Sequence, residues 1–298
     1  MSGGTSEESN FLALPQAHAH PETAGVVLIP APFEETSTYG SGSADGPRAM
    51  IEASHEVELF DAELGFEPFQ AAGGIATLAA LEVAGCDGQS LAQRLYREVL
   101  PWIDRQKFVV TLGGEHTAVL GALRAHCESY KDLTVLQLDA HSDLRPAYAG
   151  SAWNHACSMA RVLDFHDDVV QVGIRSQAKE ERAFAEERGI PVFHAHEIHR
   201  DPAWQGAWVR EVVAAVNRNV YITFDCDVFD PSIMPATGTP EPGGLTWRQI
   251  NALLARLSSE RNVVGLDVSE LAPIPGLRHP QFTMAKLIYR LIGWTFMG

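Results

Sequence analysis

Five short apolar runs recur along the chain: FVVTL (108–112), LTVLQL (133–138), DVVQVGI (168–174), NVYITF (219–224) and NVVGL (262–266). They are rich in β-branched residues and nearly continuous in apolarity, the pattern of strands covered on both faces in a parallel sheet. A sixth run, VVLIP, begins at residue 26. Between the runs lie amphipathic segments of helical length: SLAQRLYREVLPWI, TAVLGALRAHCESY, KEERAFAEERG, AWVREVVAAVNR, TWRQINALLARLSSE and TMAKLIYRLIGWTF. Strand followed by helix, repeated, predicts an α/β sandwich about a mainly parallel sheet.

With 298 residues, 46% of them hydrophobic, the chain can bury a large core, and such a length fits one large α/β domain. There is no internal repeat and no linker long enough to split it. The first two dozen residues, rich in Pro, Ala, Ser and Glu, read as a flexible N-terminal arm over 1–24, in which His18 and His20 are tail residues rather than ligands. A single domain is expected over 25–298.

That N-terminus carries acidic residues ahead of a short apolar patch, and no stretch reaches the ~18 apolar residues of a membrane span, so neither a signal peptide nor a membrane anchor is predicted. Four scattered cysteines, Cys86, Cys127, Cys157 and Cys226, form no CxxC pair, and reduced thiols in a cytoplasmic protein are the expectation. The balance of 22 basic and 38 acidic residues leaves −16, which repels nucleic acid and anionic membrane and favours a small cationic ligand.

The apolar runs break into polar clusters at equivalent places. FVVTL leads into GGEH with His116, LTVLQL into DAHSD with Asp139, His141 and Asp143, NVYITF into DCD with Asp225 and Asp227, and NVVGL into DVSE with Asp267 and Glu270. In a parallel sheet all carboxyl ends share one edge, so these clusters can converge on one crevice. Alternation along an extended chain would also set Asp139, His141 and Asp143 on one side, and Asp225 with Asp227. A lone Asp after a strand is usually a cap or turn residue. Six acids and imidazoles in three such clusters are a different matter, because that many carboxylates need compensating positive charge, which metal ions supply. The oxygen-rich donor set exceeds what one tetrahedral zinc requires and suits manganese, with other divalent transition metals as competitors. A pair of ions about 3.5 to 4 Å apart would lower the pKa of a shared water, which points to metal-assisted hydrolysis.

The segments GGEH, DAHSD and FDCDVFDPSIMPATGTPEPGGLT resemble the three signatures of the ureohydrolases, the arginase and agmatinase family. The resemblance extends from VLIPAPFEETSTYGSGSADGPRAM to GLDVSELAP, nearly the whole chain. It implies a three-layer αβα fold with a parallel eight-stranded sheet, a single catalytic domain, two Mn²⁺ ions, and assembly as a homotrimer or homohexamer. By match to the motifs, His116, Asp139, Asp143 and Asp225 would hold one ion, and Asp139, His141, Asp225 and Asp227 the other. Asp143 would also handle the proton, Glu270 would grip the guanidinium, and His155 in SAWNHAC would act as a proton shuttle or substrate contact. Thr239 in TGTPEPGG is expected to orient Glu270. Cys226, between two ligands, is read as core packing.

Arginases carry a Ser-x-Asn-x-His pattern ahead of the shuttle histidine; here Ser151 matches but Trp153 replaces the asparagine, which places Trp153 among the expected specificity residues. The Gly-rich TSTYGSGSADGPRAM and ATGTPEPGGLT look more like the agmatinase branch. Agmatine, cleaved to putrescine and urea, is the leading substrate, with aminopropylagmatine, guanidinobutyrate, guanidine and arginine as alternatives. Guanidinobutyrate would call for a basic partner such as Arg145 or Arg175; the latter is equally read as a salt-bridge residue. A regulatory homologue that keeps its metals for folding is the alternative of another class. In FHAHEIHR, His196 and His199 stand at i, i+3 rather than i, i+4, so this is no HExxH site, and its histidines are expected on a surface loop.

Overall fold

A computed structural model of the chain describes residues 9–201 and 206–297. Eight strands make one sheet: β1 (Val26–Ala31), β2 (Ile75–Thr77), β3 (Phe108–Gly113), β4 (Leu133–Leu138), β5 (Val169–Ile174), β6 (Val192–His194), β7 (Asn219–Asp225) and β8 (Asn262–Ser269). All pairs are parallel, in the order β2-β1-β3-β8-β7-β4-β5-β6. The helices are α1 (Gly46–Ser54), α2 (Pro68–Ala71), α3 (Gly88–Asp104), α4 (Leu120–Ser129), α5 (Ser158–Val162), α6 (Lys179–Arg188), α7 (Ala195–Ile198), α8 (Ala207–Ala215), α9 (Trp247–Glu260) and α10 (His279–Thr295). None of the described helices is long and apolar enough to cross a membrane.

Strand alternation divides the core into two layers. Val110, Leu136, Val172, Ile222 and Leu266 meet α1, α8, α9 and α10 on one face. Val27, Val109, Val135, Val169 and Tyr221 meet α3, α4, α5 and α6 on the other. The three-layer αβα sandwich is therefore present, and helices on both faces explain the unbroken apolarity of the central strands. Capping is local and legible: Asp87 accepts from Ser90 N at the start of α3, and Thr246 with Gln249 closes a capping box on α9.

The strand order brings β3, β8, β7 and β4 side by side. These are the four strands that end in polar clusters, so the sheet assembles one crevice from segments distant in sequence.

Three expectations need correction. The arm over 1–24 does not describe residues 9–24, while 1–8 lie outside the described residues. Phe11 and Leu14 are buried, Phe11 N donates to Thr77 Oγ1 at 2.9 Å, and Thr77 N donates to Asn10 Oδ1 at 2.8 Å. This segment covers the short edge strand β2, which would otherwise present open backbone groups. The FHAHEIHR histidines stand on β6 and α7 and the residue after it, not on a loop, with His194 and His196 stacked at 5.4 Å. Extended alternation also breaks down locally. Beyond β4 the chain turns, and Asp227 belongs to a 3-10 turn over Cys226–Val228, so convergence comes from turns rather than extended pleats.

Gly114 joins the fold to the site. Its N–H donates to Ala31 O at 3.0 Å, and its carbonyl accepts from Glu270 N at 2.7 Å. A Cβ there would drive into the backbone of Phe33, with the carbonyl in front. Replacement of Gly114 by Ala is expected to destabilise the protein by about 1–3 kcal/mol through a forced backbone shift. The urea-unfolding midpoint measures it; an unchanged midpoint would show that the approach of residue 33 is dispensable.

Candidate active site

At the carboxyl edge of the four central strands, two imidazoles face four carboxylates. His116 Nδ1 lies 3.0 Å from Asp143 Oδ2, 3.2 Å from Asp139 Oδ2 and 3.6 Å from Asp225 Oδ2. His141 Nδ1 lies 2.9 Å from Asp227 Oδ2 and 3.7 Å from Asp139 Oδ1. Among the described residues, His116, Asp139 and Asp225 form one group whose ligand atoms cluster within 4.8 Å, and Asp139, His141 and Asp227 form another. Asp139 belongs to both, offering one oxygen to each side. That is the arrangement of a carboxylate shared by two neighbouring cations.

Backbone amides hold the acids in place. Ala140 N donates to Asp227 Oδ1 at 2.9 Å, His141 N to Asp139 Oδ1 at 2.6 Å, and Asp227 N to Asp225 Oδ1 at 2.9 Å. Asp143 and Glu270 are held at φ 52° and 63°, the left-handed region that non-glycine residues seldom adopt. Such strain persists only where the surroundings enforce it, and it concentrates at functional sites.

Below the acids runs a row of polar side chains that sequence reasoning did not assign. Thr111, Asp267, Thr223, Gln137 and Gln171 are register partners across β3, β8, β7, β4 and β5, and all are fully buried. Gln137 Nε2 donates to Asp139 Oδ2 at 2.8 Å. Thr223 Oγ1 donates to Asp267 Oδ1 at 2.9 Å and lies 2.9 Å from His116 Nε2. With Asp267 ionised the hydroxyl gives its one proton to that carboxylate, so Nε2 is the donor, and whenever His116 is neutral Nδ1 keeps its lone pair towards the acids. The signal was there: Thr111, Gln137, Gln171 and Thr223 are polar interruptions inside FVVTL, LTVLQL, DVVQVGI and NVYITF, and Asp267 directly follows NVVGL.

The electrostatics show what the cluster lacks. Burial raises Asp143 to about 7 and Glu270 to about 8, and carries Asp225 well above the carboxylate range, with nearby carboxylates adding to each. Burial also raises Asp267 to about 7. Asp139 is held low despite its burial by the imidazoles of His116 and His141. Those imidazoles are raised against burial in return, His116 by Asp139 and Asp143, and His141, to about 12, by Asp227 and Asp139. Among the described residues, the positive charge at the floor of the site is thus carried by protons on the two imidazoles. His116 Nδ1, buried beside three carboxylates, makes no hydrogen bond with any of them. An oxygen-rich donor set around a buried ring nitrogen with no hydrogen-bond partner fits a pair of divalent cations.

Around this floor the crevice encloses about 220 Å³ and is walled by Thr38, Arg145, Tyr148, His155, Thr239 and Glu270, among others. A larger cleft of about 580 Å³, bordered by Trp247 and several arginines on α8, α9 and α10, has no such cluster of metal-capable side chains among the described residues. Glu270 Oε1 accepts from His116 N at 2.7 Å, so guanidinium-binding and metal-binding candidates are tied directly together. His155 is partly buried and held below its ordinary value by burial, then by the charges of His141 and His116.

The expected second tier is corrected in part. Thr239 lines the crevice but makes no hydrogen bond to Glu270 among the described residues; the His116 amide and the left-handed backbone orient that acid. Trp153 does not reach the crevice. It packs against a different surface depression with Ala92 and Leu120, beside Gly88, because the turn at Ser151 directs it outward from the site. Among the described residues Arg175 forms no salt bridge; its guanidinium donates to backbone carbonyls, including Asp227 O at 2.6 Å and Glu241 O at 2.7 Å, and so clamps the turn that carries Asp227. Cys226 is fully buried in the core, as read from the sequence.

The geometry has counterparts. A family profile described as the Arginase family matches residues 24–293. An N(1)-aminopropylagmatine ureohydrolase of Synechocystis sp. is 39% identical over 277 residues, covering 91% of this chain and 89% of that protein. An agmatinase of Pyrococcus horikoshii is 31% identical, covering 91% and 92%. The crystal structure of agmatine ureohydrolase of Thermoplasma volcanium superposes with a TM-score of 0.83 at 30% identity, covering 94% and 92%. The chain belongs to the arginase family.

Proposed function

We propose that this crevice hydrolyses the guanidino group of a small cationic substrate to urea and an amine, and that agmatine, giving putrescine, is the leading substrate. The observation that carries the reading is the sharing of Asp139 between two metal-capable groups, with Glu270 tied by 2.7 Å to the amide of His116 at the same place. His116, Asp139, Asp143 and Asp225 would hold one Mn²⁺, and Asp139, His141, Asp225 and Asp227 the other. When bound, the pair supplies hydroxide near neutral pH by lowering the pKa of water.

The chain's own residues supply the rest. Glu270 accepts the guanidinium N–H groups, a planar fork that pairs well with a carboxylate. It also fixes the carbon in line for attack, which matters because a delocalised guanidinium is a poor electrophile. Asp143 takes up the proton released on attack and passes it towards the leaving amine. His155, on the wall, exchanges protons with the leaving group and solvent. The tetrahedral species then breaks its C–N bond to release urea.

A second reading, aminopropylagmatine, is favoured by one observation. Relatives bearing that name are 35 to 40% identical to this chain, against 31 to 32% for those named agmatinase. Guanidinobutyrate is disfavoured, because the one arginine on the crevice wall among the described residues, Arg145, is already placed over Tyr148 at 4.7 Å and 3.6 Å from Glu181. Arginine is disfavoured because the position of Trp153 offers the crevice no amide for an α-carboxylate. A purely structural metal site would have no use for Glu270 or His155. The enzyme is read as a cytoplasmic homotrimer or homohexamer with no nucleic-acid or membrane partner.

Reconstitution with Mn²⁺ and measurement of urea from agmatine, aminopropylagmatine, arginine, guanidinobutyrate and guanidine tests the reading. Agmatine or aminopropylagmatine is expected to have the highest kcat/KM. No urea from any of them with two metals bound would refute the enzyme, and arginine turning over as fast as agmatine would refute the substrate. Replacement of Glu270 by Ala is expected to lower kcat/KM by about 100-fold or more, with both metals retained by elemental analysis. Loss of the metals would contradict its role.

A further inference from the structure

The loop that follows β1 is bound to the crevice by a buried acid. Glu115, fully buried, accepts at Oε2 from Glu35 N at 2.8 Å and from Thr36 N at 2.6 Å. Its other oxygen, Oε1, accepts from Thr36 Oγ1 at 3.0 Å. The same hydroxyl oxygen receives His155 N at 3.0 Å and lies 3.1 Å from His155 Nδ1.

Proton counting settles the direction of each contact. The Thr36 hydroxyl has one proton and two lone pairs; a carboxylate that collects two amides has only acceptor capacity. The hydroxyl proton therefore goes to Glu115, and both lone pairs are left to accept, one from His155 N–H and one from Nδ1–H. The imidazole is then fixed with its proton on Nδ1. Among the described residues Nε2 makes no hydrogen bond, on a side chain that lines the crevice with Asp143 and Glu270.

We propose that Thr36 and Glu115 are positioning residues that hold His155 in the Nδ1–H tautomer, so that Nε2 presents its lone pair to the reacting proton. The tautomer of the ring rests on geometry alone; its catalytic consequence rests on the ureohydrolase reading above. Without the relay the ring can rotate or shift its proton to Nε2, and the nitrogen facing the crevice is then a donor where an acceptor is required. Thr36 thus gives the loop after β1, which lines the crevice through Thr38, a part in proton handling.

The test uses the full-length, metal-loaded enzyme. With histidine ¹⁵N-labelled and Zn²⁺ in the site to avoid paramagnetic broadening, a long-range ¹H–¹⁵N correlation spectrum reports which ring nitrogen carries the proton, with His155 assigned through His155→Gln. The expected pattern is a protonated Nδ1 and an unprotonated Nε2, lost in Thr36→Val and restored in Thr36→Ser. In the Mn²⁺ enzyme Thr36→Val is expected to lower kcat by about 10- to 100-fold with KM nearly unchanged, and Thr36→Ser to recover most of it. A proton on Nε2 in the parent enzyme, or a tautomer indifferent to Thr36→Val, would overturn the proposal. Absence of urea production in the parent would instead refute the ureohydrolase reading and leave the spectrum to decide the relay.

Discussion

Asp139, Asp143, Asp225, Asp227 and Glu270 gather with His116 and His141 at the floor of one crevice, and their mutual repulsion has to be balanced inside the protein because burial strips them of most of their hydration. A lone ionised carboxylate in such surroundings costs several kcal/mol. Protons balance the charge when nothing else does, which is why the imidazoles and most of the acids are displaced from their ordinary values. Two dications would do it without neutralising the ligands. The acid cluster is therefore a frame for cations, and the fold keeps it from flying apart.

That restraint comes from the sheet. Parallel strands β3, β8, β7 and β4 bring their carboxyl ends to one edge, and the polar row one layer down reaches two of the ligands, Gln137 donating to Asp139 and Thr223 meeting His116. Two relays have the same logic. His116 is linked through Thr223 to Asp267, and His155 through Thr36 to Glu115. In each, a threonine hydroxyl gives its proton to a buried acid and so compels the imidazole to donate. The first leaves a lone pair for a metal, the second a lone pair for a proton in transit, and orientation of this kind is what outer residues contribute to a metal site.

Much of this was legible in the sequence, for a physical reason. A central parallel strand must be apolar on both faces, so the strands carrying the site stood out, and the abrupt polar residues at their ends could only lie at one edge. His116, Asp139, His141, Asp143, Asp225, Asp227 and Glu270 all arrive where that argument put them. The edge strands β2 and β6, three residues each, were too short to show a pattern. Trp153 was misplaced because sequence position within a loop does not fix which way a side chain turns. Phe11 and Leu14 were assigned to a mobile arm because composition outweighed two apolar residues that cover β2. The relays were invisible because each joins residues far apart, Thr36 to His155 and Thr223 to Asp267, and no local signal records such a meeting.

The central claim is that the acid-rich crevice holds two cations, one on each imidazole. Anomalous diffraction at the manganese edge from crystals grown with Mn²⁺ tests it most directly. The account requires two peaks about 3.5 to 4 Å apart, one beside His116 Nδ1 and one beside His141 Nδ1, with Asp139 between them. A single peak, or two peaks that do not share Asp139, would contradict it.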